Sequence, residues 1–245
     1  MRSEVDALID AASKPYLAAG RYAYHFARGK LRHDPVFFSL LRMGRIPDRA
    51  RVLDLGCGHA VLASLMLAAQ AQFESGLWPS EWAAPPSQLQ LHGIESERKA
   101  ALRARICLGD RAAIHTADLR DAPLPQADVV VMIDVLHYLE ADAQVSLLGR
   151  VAQSLRGGGL LILRVADISA GWRFHAGKFA DRFGSLLAAQ TMPKHHYRPI
   201  DEWMHLLDSV GFEPDIESRA AGKSFANVLL WAKARKRPEG LRTPR

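Results

Sequence analysis

Cysteine is scarce: Cys57 and Cys107 are the two in 245 residues, too few for a disulfide framework or a four-cysteine zinc site. No stretch approaches the roughly 18 consecutive apolar residues that a membrane-spanning helix needs. The opening decapeptide MRSEVDALID carries acids where a signal peptide has a basic and then an apolar stretch. A soluble, unexported protein in a reducing cytoplasm is therefore expected. Internal repeats and low-complexity segments are lacking as well. What is present is globular: 49% of residues are hydrophobic and 24% charged, over a length that suits one α/β domain or two small ones.

The formal net charge of +6 raises the question of nucleic acid, and its distribution answers it. Residues 14–51 carry nine bases and two acids, and residues 233–245 six bases and one acid. The long stretch between them, 52–232, carries sixteen bases and twenty acids. The excess is terminal, so the charge argues against nucleic acid. The Pro-punctuated end KARKRPEGLRTPR reads as a basic, solvated tail. The 14–51 stretch differs because its bases interleave with aromatics.

From Arg51 onward, short branched apolar runs alternate with segments of helical period, the pattern of successive βαβ units. Strands are expected at 51–55, 89–94, 112–116, 128–133 and 160–166, with helices over 59–72, 96–108 and 139–155. Runs as apolar as VVVMI suit a parallel sheet covered on both faces. IDEWMHLLDSV reads as a helix stopped by Gly211, and FEPDIES with SFANVLLWA as a closing hairpin. The expectation is a Rossmann-like, doubly wound α/β fold: a mostly parallel seven-stranded sheet with an antiparallel closing hairpin. An N-terminal helical cap over 1–50 precedes a domain over 51–232, and 233–245 forms the tail. Residues 73–88, with three prolines and two tryptophans, read as a surface insertion, and 167–199 as a second one.

The most informative stretch is VLDLGCGHAVLA, residues 52–63. Its glycines allow a sharp strand-to-helix turn and a close approach of ligand to backbone. The dinucleotide fingerprint needs a further glycine where Val61 stands, and the Gly-Lys-Ser/Thr of a phosphate loop is missing. A carboxylate at Asp54 would repel a diphosphate but suits a ligand with an ammonium group.

These residues resemble motif I of the class I S-adenosylmethionine-dependent methyltransferases, and the resemblance extends in order over 51–232. It implies S-adenosyl-L-methionine as cofactor, held by Asp54 and the turn Gly56, Cys57 and Gly58. By the same resemblance Glu95, ending HGIE, accepts from the ribose hydroxyls. Asp118 in TADL takes the adenine amino group, with the Leu119 amide near the ring. Asp134 opens DVLHYL beside the methyl-donating end. Two departures stand out: Ala60 replaces a common third glycine, and the 73–88 insertion lengthens the spacing to Glu95. One strand-end acid could simply cap the next helix. Four in order after a Gly-x-Gly turn point to the carboxyl edge where open α/β sheets bind ligands.

Methyl transfer needs the nucleophile held in line and water excluded, and a hydroxyl acceptor gains from a base. His137 and His196 are the candidate bases, while His195 and Tyr197 suit a substrate wall. Two readings of GRYAYHFARGKLRHDPVFFSLL stay open. In one, Tyr22, Phe26, Phe37, Phe38 and Leu40 pack on the sheet and the bases face water. In the other the segment is a lid, with Tyr24, His25, Arg28 and Lys30 facing cofactor and an anionic substrate. FARGKLRHDPVF is similar to methyltransferases of bacterial aryl polyene and fatty-acid-like pathways. That likeness implies an aromatic acid or phenolic acyl group as acceptor, carried on an acidic acyl carrier protein. The leading expectation is methylation of a small aromatic or acyl molecule at oxygen, without a metal. The alternatives are an RNA methyltransferase and a cofactor-binding accessory protein without turnover.

Overall fold

The computed structural model describes residues 2–168, 195–219 and 227–235. The greater part of the 167–199 insertion and the end of the tail lie outside the described residues. The chain divides into two compact units, Met1–Pro123 and Leu124–Arg245. The strands number seven, as expected from the sequence.

The first unit opens with α1 (Arg2–Ser13), a 3-10 helix (Lys14–Ala19), α2 (Arg21–His33) and α3 (Val36–Arg42). There follow β1 (Arg51–Leu55), α4 (Val61–Glu74), β2 (Gln90–Glu95), α5 (Arg98–Leu108) and β3 (Ala113–Thr116). β1 pairs parallel with β2, and β2 with β3. α4 starts two residues later than periodicity suggests because Ala60 is left-handed (φ 54°), which a continuing helix cannot accommodate. α5 likewise begins after Glu97, whose carboxylate caps it by accepting from the Lys99 and Ala100 amides at 2.9 and 2.5 Å.

The cap follows the first of its two readings only in part. Phe37, Phe38 and Leu40 are buried, but Tyr22 is 64% and Phe26 40% exposed. α2 instead buries Ala23, Ala27 and Leu31, a stripe at four-residue spacing with mostly small side chains that lets a helix approach its neighbours closely. Arg32 reaches Asp6 at 2.8 Å and Arg28 bonds Asp10, both on α1. The 73–88 segment runs along the surface, with Trp82 as its buried anchor. That ring meets Phe38 edge-on at 6.0 Å and lies under the Arg42 guanidinium.

The second unit holds β4 (Ala127–Ile133), α6 (Ala141–Ser154), β5 (Leu155–Ala166), α7 (Ile200–Ser209), β6 (Phe212–Arg219) and β7 (Asn227–Ala234). β4 and β5 are parallel, while β7 runs antiparallel to β5 and to β6. β5 begins five residues before its apolar run, because Leu155 pairs with Ala127 across a register shift in β4. Val129 to Met132 are wholly buried, as a strand covered on both faces must be.

Candidate functional site

In the first unit the turn after β1 is built by backbone geometry. Gly56 (φ 73°), Gly58 (φ 57°) and Ala60 (φ 54°) are left-handed, a conformation glycine adopts without steric cost. The Gly56 and Cys57 amides donate to the Ile94 carbonyl on β2 at 2.8 and 3.2 Å. The Gly58 amide donates to Glu95 Oε2 at 2.8 Å, and the Glu97 amide to Glu95 Oε1 at 2.7 Å. Glu95 is thereby aimed from both oxygens; Ser96 Oγ also donates to Oε1, at 3.4 Å, while Oε2 retains a lone pair for a ligand. Gly93 is required for a close approach: a Cβ there would stand 2.7 Å from Cys57 Sγ and 2.9 Å from Ile114 Cδ1.

Asp54 ends β1 half-buried. Burial, reinforced by the charge of Glu95, pushes its carboxyl up to about 7. Two carboxylates so placed favour a cation between or beside them. The same burial and charges push the Cys57 thiol up, so it stays protonated and unreactive. Asp118 follows β3 and is gripped by Arg120, whose guanidinium donates at 2.5 to 3.1 Å and holds the carboxyl below its ordinary range. The Leu119 side chain is buried beside it.

Two residues here escaped sequence reasoning. His59 has a buried side chain 4.4 Å from the Phe26 ring, with Arg103 reaching its Nε2 at 3.5 Å. Burial and then that guanidinium hold the imidazole below its usual range. Tyr16, wholly buried, donates its hydroxyl to the His59 carbonyl at 2.7 Å. The position of His59 beside Gly58 was the available signal; nothing local marks Tyr16.

The two cations of the lid reading are paired within the cap. Arg28 ends on Asp10 and Lys30 on Asp34 at 3.0 Å, while Tyr24 and His25 meet edge-on at 5.2 Å.

In the second unit Asp134 is left-handed (φ 58°), and Arg164 of β5 binds both its oxygens. His137 lies in a short 3-10 turn, Leu136–Tyr138. Its ring stacks on His195 at 5.2 Å and 15° and on Tyr197 at 5.2 Å and 16°, so three residues named from sequence form one aromatic cluster. Tyr197 Oη lies 3.3 Å from His195 Nδ1. Burial lowers His137 to about 4, leaving the imidazole neutral near pH 7. The His196 amide donates to the His137 carbonyl at 2.8 Å. Gln144, fully buried on α6, locks this arrangement: its Nε2 faces the Leu136, Leu139 and His196 carbonyls at 2.9 to 3.1 Å, and its Oε1 accepts from Arg198.

Known proteins place this geometry in a family. A model of a methyltransferase domain matches residues 24–216. Carboxy-S-adenosyl-L-methionine synthase from Psychrobacter arcticus is 30% identical over 119 residues, 46% of this chain and 40% of that relative, so the match spans less than half of the relative's length. Among solved structures, an O-methyltransferase family protein from Burkholderia thailandensis aligns with a TM-score of 0.61 at 20% identity, covering 90% of this chain and 60% of that one. Magnesium protoporphyrin IX methyltransferase from Synechocystis PCC 6803, with bound S-adenosylhomocysteine, aligns at 0.56 and 18%, covering 87% and 88%. At such identities the structural likeness is one of fold. With the family match running over most of the chain, and a Gly-x-Gly turn following β1 of a seven-stranded sheet, the chain belongs to the class I S-adenosylmethionine-dependent methyltransferases.

Proposed function

We propose that this protein transfers a methyl group from S-adenosylmethionine to an oxygen of a small aromatic or acyl acceptor. The observation that carries the cofactor half is the turn at 56–60 clamped onto Glu95, with Asp54 raised in pKa beside it. Asp54 would receive the cofactor's ammonium group, which returns the carboxylate to its charged form. Glu95 would accept from the ribose hydroxyls, with Ser96 Oγ, its longest donor at 3.4 Å, free to turn away. The backbone of Gly56, Cys57 and Gly58 would line the turn. Asp118 and Leu119 would border the adenine. Asp134 of the second unit, oriented by Arg164, is the further acid proposed for the cofactor. The bound cofactor supplies a methyl group on a sulfonium, so the protein's share is to bind, orient and exclude water.

The acceptor half rests on the second unit's stacked rings. His137, His195 and Tyr197 offer flat surfaces suited to an aromatic acceptor. Held down to about 4, His137 is a weak base even toward a phenol. That weak basicity favours an acceptor oxygen that is already anionic, a carboxylate above all. His196 is the second candidate base. The lid residues Tyr24, His25, Arg28 and Lys30 act in this reading through the cap's shape, since both cations end on carboxylates of the cap. A carrier-bound acyl acceptor is the extended form of the proposal.

Calorimetry with S-adenosylhomocysteine tests the cofactor half, and methyl transfer from labelled cofactor into a fractionated host extract tests the acceptor half. Label in a low-molecular-weight or carrier-bound fraction supports the proposal. Label in RNA, or none with the cofactor bound, overturns it.

A further inference from the structure

We infer that Tyr16, on the 3-10 helix of the N-terminal cap, is a positioning residue that sets the cofactor turn through the His59 main chain. The inference rests on the reading of residues 56–60 as the cofactor turn. His59 sits between two left-handed residues, Gly58 and Ala60. Such residues are held by their surroundings rather than by their own preference, and Ala60 bears a Cβ that makes its conformation costly. A trans peptide points its carbonyl and the following amide in opposite directions. Fixing the His59 carbonyl therefore fixes the Ala60 amide, which donates to the Cys57 carbonyl at 2.8 Å across the turn.

The Tyr16 hydroxyl supplies that fixing contact at 2.7 Å from 43 residues away. Burial makes the contact consequential, because without it the carbonyl would have to find another donor where water is scarce. The cap is fastened beside it by Ser64 Oγ of α4, which donates to the Ala12 carbonyl at 2.7 Å. At the turn itself the opposite side is held by Glu95, which accepts from the Gly58 amide. The turn is thus gripped between the strand edge and the cap, and this part of the cap is a wall of the cofactor site rather than a lid that leaves it.

Tyr16→Phe keeps the ring that fills the core and removes only the hydroxyl. Its dissociation constant for S-adenosylhomocysteine, measured by calorimetry, is expected to rise roughly three- to tenfold. Gln72→Met is the comparison: it breaks bonds from α4 to the Glu4 and Leu77 carbonyls, well away from the turn. That variant is expected to melt at a lower temperature with the dissociation constant unchanged. An unchanged constant in Tyr16→Phe, or an equal rise in Gln72→Met, overturns the inference. Failure of the wild-type protein to bind S-adenosylhomocysteine overturns the cofactor reading alone. Amide exchange at residues 57–60 then decides the positioning role without ligand: faster exchange in Tyr16→Phe than in wild type upholds it, and equal exchange removes it.

Discussion

The backbone amide of Gly58 donates to Glu95 Oε2 at 2.8 Å, joining the turn after β1 to the carboxylate that ends β2. The turn orients the carboxylate, and the carboxylate holds the turn. Neither can be altered without the other.

Glu95→Gln should weaken S-adenosylhomocysteine binding by about 1–3 kcal/mol, because the amide presents an NH2 group to one of the two backbone donors that Glu95 now satisfies. Calorimetry at fixed salt reads the change. Affinity equal to wild type would count against Glu95 as a cofactor ligand.

Asp54 makes binding and stability pull in opposite directions. Its folded-state pKa is raised to about 7 from 3.8. The stability its proton brings is complete below about pH 4 and is lost as pH rises through about 7. Asp54→Asn should therefore stabilise the ligand-free protein at pH 8 by on the order of 1–3 kcal/mol, seen as a higher melting temperature, while weakening cofactor binding. Wild-type affinity for S-adenosylmethionine should climb between pH 6 and 8, as the carboxylate forms, and the variant's should not. Melting curves and titrations across that range check both signs.

His137 titrates the other way. Burial lowers its folded pKa to about 4 from 6.5, so its contribution to stability is intact above 6.5 and is lost as pH falls through about 4. His137→Phe should flatten this part of the acid limb of a stability–pH profile. If His137 is the base, the same substitution should slow methyl transfer about a hundredfold or more at constant cofactor occupancy.

Gly93→Ala should destabilise by about 1–3 kcal/mol, since the new Cβ would press on Cys57 Sγ and Ile114 Cδ1. Adding Cys57→Ala removes the nearest of those atoms and should recover part of the loss. Urea denaturation of the two single variants and the pair gives the coupling. Strict additivity would show that Cys57 is not what Gly93 makes room for.

Much of the fold was legible in the order of residues. Apolar runs of strand length alternating with helical periods marked the five parallel strands within a few residues, most clearly β4, because a strand covered on both faces has to be apolar throughout. Departures fell where backbone detail decides: α4 starts after a left-handed Ala60, and β5 starts early because a register shift lets Leu155 pair with Ala127. Of the cap residues that one reading packs on the sheet, Tyr22 and Phe26 stay outside, since the stripe of Ala23, Ala27 and Leu31 on α2 packs more closely than they can.

By itself the sequence determined the αβ succession, the Gly-x-Gly turn, the acids Asp54, Glu95, Asp118 and Asp134 after successive strands, and the histidines near the end of β4. These are local properties, written in spacing and side-chain type. The tertiary structure alone decided which group each of them answers to. Arg164 takes Asp134 from 30 residues away, Gln144 locks the His137 turn to His196, and Tyr16 holds His59 across 43 residues. Such pairings depend on strand register and helix packing, which no short stretch of chain encodes.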